Sequence, residues 1–271
     1  MSGVVPVATP AGGPPADASA VRVSGVPVPV VAAIASAWAA AIAAEATGAA
    51  ALLHHDELLS EGLPSAWAVV GFLAAWQVMV AAMMLPSSLP LVRMFAGASA
   101  RTPGSGRAMA AFLGGYALVW TAFGAFAFAG DLGLHAAVNA SSFLADSEWA
   151  IGGSVLAAAG AFQFTPLKDA CLDKCRHPAS FMLRHYRRGA RAGFELGARH
   201  GAFCVGCCWA LMLVMFALGA TNLILMALLT ALMVHEKTRP AGRRAVPVTG
   251  VTLLAIASVV LLYSGYAAFA G

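Results

Sequence analysis

All five cysteines of the 271-residue chain lie between Phe164 and Met215. Cys171 and Cys175 sit in Lys168-Asp-Ala-Cys-Leu-Asp-Lys-Cys-Arg-His-Pro178. Cys204, Cys207 and Cys208 sit in Gly201-Ala-Phe-Cys-Val-Gly-Cys-Cys-Trp209. Residues four apart share a face of a helix, so Cys171 with Cys175, and Cys204 with Cys208, make two thiol-bearing faces. Joined by one basic loop, the two faces can close on a single metal ion. Thiolates are soft donors that favour Cu(I), Zn or iron–sulfur clusters. Cysteine is also common as a small buried apolar residue. Five in one segment and none elsewhere fit a shared metal or redox site better than scattered core use.

Methionine extends the pattern. Met212 and Met215 continue the face of Cys204 and Cys208, and an earlier segment offers Met79, Met83 and Met84. Thioethers are useful to Cu(I) and poor for Zn, so Met83, Met84 and Met212 join the five cysteines as candidate ligands. Filling of a membrane core is the competing reading for each of them. His54 and His55, next to Asp56 and Glu57, are secondary candidates for an entry or exit site. His177 and His200 lie beside the cysteine groups, and Glu45 is a carboxylate within an apolar stretch, a functional candidate by default.

The elements that carry these residues are transmembrane helices. The chain is 60% hydrophobic and 10% charged, with mean hydropathy +0.80; soluble domains carry about 25% charged residues. An all-α, polytopic membrane helix bundle is therefore expected. Residues 1–27, rich in Ala, Pro, Gly and Val, read as a disordered tail, and 28–271 as the membrane domain. Apolar stretches place helices at about Pro29–Leu53, Ser65–Val92, Ala108–Gly130, Trp149–Thr165 and Val248–Ala268. Pro86 is expected to kink or loosen the end of the second. Gly201–Val234 exceeds the ~20 residues of one span, and Gly219-Ala-Thr-Asn222 is a natural break. The connections 93–107 and 131–148 read as loops, and 166–200 as a basic, partly helical loop that carries Cys171 and Cys175.

With that break, about seven spans result, and all 16 Lys and Arg residues fall on one side. Asp56, Glu57, Glu61, Asp131, Asp146 and Glu148 fall on the other. The positive-inside rule then puts the N-terminus and the cysteine loop in the cytoplasm and the C-terminus outside. Thiols stay reduced in a cytoplasm, so structural disulfides are not expected. No basic run interleaved with aromatics points to nucleic acid; the basic loops face lipid head groups instead. No phosphate loop, nucleotide-binding glycine motif, Cys-Pro-Cys helix, Gly-x-Ser-x-Gly elbow or His-Glu-x-x-His is present, which excludes an ATP-driven pump on this chain alone.

Three stretches, Ala82-Met-Met-Leu-Pro86, Phe162-Gln-Phe-Thr-Pro-Leu-Lys168 with Cys171 and Cys175, and Arg199-His-Gly-Ala-Phe-Cys-Val-Gly-Cys-Cys-Trp-Ala-Leu-Met212, resemble the bacterial predicted metal-binding integral membrane proteins. The resemblance spans roughly Ser65 to Lys237. It implies a multi-pass protein of the bacterial inner membrane that binds copper. Some members are associated with delivery to copper enzymes such as tyrosinases, so a copper enzyme or copper chaperone partner is implied, and an enzymatic activity is not. Two alternatives remain from the residues themselves. A membrane thiol oxidoreductase would use Cys204-x-x-Cys207, and a zinc-stabilised assembly protein would use metal only to tie the loop to the fifth helix.

Overall fold

The computed structural model describes residues 25–47, 66–141, 148–217 and 222–270. The expected tail therefore lies outside the described residues as far as position 24, as do His54, His55, Asp56, Glu57, Glu61 and Asp146. Among the described residues the chain is all-helical. Its elements are α1 (Val28–Thr47), α2 (Ala66–Ser99), α3 (Ser105–Ala140), α4 (Glu148–Phe162), α5 (Pro166–Arg176), α6 (Pro178–His185), α7 (Ala190–Ala217), α8 (Leu223–Thr238) and α9 (Gly242–Ala270).

Among the described residues five helices, α1, α2, α3, α7 and α9, are long and apolar enough to cross a membrane. The pair α4 and α5, bent by 65°, makes a sixth if it is one broken span. The expected seventh, α8, is a separate helix at the expected place, with Asn222 Oδ1 accepting from the Leu225 amide at 2.9 Å as its N-cap. It has only 16 residues, short of the ~20 that a bilayer core needs.

Several helices run longer than hydropathy alone indicates. α2 passes through Pro86 and Pro90 to Ser99 rather than ending near Val92. Pro86 has no N–H for the Ala82 carbonyl four residues back. Trp38 of α1 donates its Nε1–H to that carbonyl at 3.1 Å, so the orphaned acceptor is satisfied from a neighbouring helix. α3 continues past Gly130 to Ala140 and takes in Asp131, which was expected in a loop. The segment 166–200, expected as a loop, holds α5, α6 and the first turns of α7. α5 has the sequence marks of a stable short helix. Thr165 Oγ1 accepts from the Lys168 amide at 3.2 Å, Pro166 opens the first turn, Asp169 lies near the N-terminus, and Lys174 and Arg176 near the C-terminus.

Glycine sets the closest packing. Gly193, Gly197 and Gly201, spaced four apart on α7, face Ala108, Phe112 and Tyr116 of α3. A Cβ on Gly193 would stand 2.6 Å from the Ala108 carbonyl oxygen, and one on Gly197 would overlap that of Phe112. Such small-residue seams let membrane helices approach closely. α2 and α7 are not among the tightly packed pairs; they meet through long side chains that fill the space between them. At one end of the bundle Arg176 of α5 bonds the carbonyls of Glu236, Arg239 and Pro240, Arg243 of α9 pairs with Asp169 at 3.0 Å, and Tyr186 bonds the Ala98 carbonyl at 3.0 Å. The basic connections thus gather at a common end.

Candidate metal centre

Four helices bring thiols and thioethers into one buried core. α5 presents Lys168, Cys171, Leu172 and Cys175 on a single buried face. α7 contributes Cys204, Cys207, Cys208, Met212 and Met215, α2 contributes Met79, Met83 and Met84, and α8 contributes Met226 and Met233. Every cysteine is free and buried. Cys171 and Cys175, expected in a basic, partly helical loop, are therefore buried residues of a helix. Gly206 makes room for Cys171: a Cβ there would stand 2.6 Å from its Sγ.

Within the cluster the donors are paired. Cys175 Sγ lies 3.9 Å from Cys207 Sγ, across the α5–α7 contact. Cys208 Sγ lies 3.6 Å from Met84 Sδ, across the gap between α7 and α2. Cys204 Sγ lies 3.2 Å from Tyr116 Oη and 3.1 Å from Lys237 Nζ. Two sulfurs each ~2.3 Å from one tetrahedral ion stand ~3.8 Å apart, so the Cys175–Cys207 separation suits two ligands of one ion. No group of three or more His, Cys, Asp or Glu among the described residues is already arranged around a common point.

The secondary candidates fall elsewhere. His200 is buried, but its Nε2 lies 3.1 Å from Ser88 Oγ, and Ser88 donates to Tyr116 Oη at 3.3 Å. Its link to Cys204 therefore runs through Ser88 and Tyr116. His177 is exposed beside Asp173 of its own turn, with Nδ1 3.3 Å from Oδ1. Glu45 lies on an exposed face of α1. Neither joins the cluster.

Lys237 was not singled out by sequence reading, because it belongs to a run of basic residues. Its helical register gives it away: Met226, Leu229, Met233 and Lys237 follow one face of α8, and all are buried. Lys168 is among the cations expected to favour thiolate at the cysteines, whereas Glu236 was not singled out. They form an ion pair of 2.7 Å with side chains only 1% and 2% exposed.

The fold is a helical bundle with membrane-length helices around a buried set of thiols and thioethers, side chains whose chemistry suits a soft metal ion. Residues 73–260 match the model of the PpoB2 family, described as a copper chaperone. The match covers well over half the chain, and the protein belongs to that family. It speaks for copper and gives zinc no support. No curated protein and no solved structure matches the chain.

Proposed function

We propose that the protein binds Cu(I) in the sulfur cluster and passes it to a copper-dependent enzyme or another copper carrier. The observation that carries this reading is the convergence of all five cysteines and Met83, Met84 and Met212 in one buried cluster, although they come from three separate helices. Cys175 with Cys207 is the first candidate pair of ligands, and Cys208 with Met84 the second, on the strength of their separations. Soft thiolates and thioethers retain Cu(I) and exchange it by swapping one sulfur for the next. Tyr116 and the α3–α7 seam hold Cys204 in place. The chain carries no nucleotide motif, so transfer follows the partner's affinity. Its setting in this reading is the bacterial inner membrane, with the N-terminus and the basic connections in the cytoplasm and the C-terminus outside.

The test is a Cu(I) titration of the anaerobically purified chain against a chromophoric Cu(I) chelator. The wild type is expected to take up at least one equivalent. The Cys175→Ser, Cys207→Ser double variant is expected to insert normally and to lose at least ~100-fold in affinity, since hydroxyls are poor donors to a soft ion. Wild-type affinity in that variant would rule the pair out as ligands.

The proximity of Cys175 and Cys207 also favours a second reading, a thiol oxidoreductase. Metal analysis separates the two: copper bound to reduced thiols supports the first, and metal-free protein with a reversibly formed disulfide supports the second.

A further inference from the structure

Two lysines are buried beside the sulfur cluster, and they are compensated differently. Lys168 has a carboxylate, Glu236 Oε2, at 2.7 Å. Lys237 has Cys204 Sγ at 3.1 Å, Cys208 Sγ at 3.9 Å and Ser87 Oγ at 3.1 Å. Its side chain is brought in from the last turn of α8 and is 5% exposed. A buried cation needs a compensating negative charge. Glu236 is engaged by Lys168, and the groups placed around Lys237 Nζ are sulfurs and one hydroxyl. Cysteine sulfurs are thus the groups placed to balance Lys237, which they do as thiolates. An ammonium has three donors and no lone pair, so it cannot itself ligate a metal.

We propose that Lys237 is a specificity-determining residue of the cluster: its positive charge, held among the cysteine sulfurs, selects a monovalent soft cation over divalent ones. The inference rests on the copper reading above and adds a basis for the choice of ion. Two thiolates with one ammonium leave a single negative charge, which Cu(I) neutralises. A divalent ion in the same place leaves an uncompensated positive charge in a buried site and meets twice the repulsion from Lys237 at any given distance. Zinc also seeks four N, S or O donors, and Lys237 occupies one side of Cys204 with a group that cannot coordinate. Ligand softness alone would admit both ions; the charge decides between them.

The experiment measures Cu(I) and Zn(II) affinities of the full chain in detergent, each ion against its own chromophoric chelator, and takes their ratio. Lys237→Gln removes the charge and is expected to lower the Cu(I)-to-Zn(II) ratio at least tenfold, mainly through tighter zinc binding. Lys237→Arg keeps the charge and is expected to hold the ratio near that of the wild type. Lys237→Leu, which leaves no polar group buried, gives the same readout if the glutamine variant does not accumulate. A neutral variant that still binds Cu(I) with its ratio within threefold of wild type overturns the inference and leaves the copper reading standing. So does a ratio that collapses in Lys237→Arg, because geometry and not charge would then be decisive. A wild-type chain that binds no Cu(I) sinks the copper reading, and this inference with it, at the first titration.

Discussion

Met84 is the methionine whose role the structure sharpens most. Its sulfur lies 3.6 Å from Cys208 Sγ, and its side chain is fully buried. Met83 and Met212 are equally buried in the same core, and Met84 is the one whose sulfur meets a thiol at hydrogen-bond distance among the described contacts. Leucine matches methionine in volume and apolarity, so Met84→Leu is expected to change stability by less than ~1.5 kcal/mol. If the thioether is a ligand, the variant loses Cu(I) affinity by tenfold or more while its thermal midpoint in detergent hardly moves. An unchanged Cu(I) titration would reduce Met84 to packing. Met83→Leu with Met212→Leu tests the rest of the stripe in the same way, read out as copper-dependent activation of a partner enzyme.

At the scale of elements, the glycine seam between α3 and α7 determines where the thiols of α7 stand. Gly197→Ala would drive a methyl group into the Phe112 carbonyl. Neither backbone can yield without moving the helix, and overpacking of this kind costs ~1–3 kcal/mol. The expected outcome is a clear fall in the thermal midpoint in detergent and a looser Tyr116–Cys204 contact. Gly114→Ala, on α3 with no atom within 4 Å of the added Cβ, is the control and is expected to leave the midpoint unchanged or higher. Equal effects of the two substitutions would mean that close approach at the seam does not hold α7 in place. The continuity of α2 is a related case. Helix propensity at Pro86 argues for a stop, and a side chain from α1 satisfies the carbonyl that the proline strands.

At the scale of the whole molecule, the proposed orientation rests on the basic residues. The contacts of Arg176, Arg243 and Tyr186 gather the basic connections at one end of the bundle, and the positive-inside rule assigns that end to the cytoplasm. A reporter enzyme fused after Gly271 is expected to be active outside the cytoplasm, and one inserted at Pro240 to report the cytoplasm. A cytoplasmic C-terminus would mean that α7 and α8 do not cross separately, consistent with α8 having only 16 residues, and the orientation would have to be redrawn.

Hydropathy, the confinement of five cysteines to one segment and the four-residue spacings were enough to give a membrane helix bundle, the break between α7 and α8, and the sulfur residues that converge. These are local quantities: transfer free energy and helical periodicity belong to each stretch of chain by itself. The pairing of Cys175 with Cys207 and of Cys208 with Met84, the Trp38 bond that lets α2 run on, and the burial of Lys168, Glu236 and Lys237 were decided only by tertiary structure. A lysine in a basic run reads as solvated because sequence carries no record of which distant helix will close over it. Whether its charge ends in water or among sulfur atoms depends on packing between α2, α7 and α8, and that packing is a property of the assembled bundle.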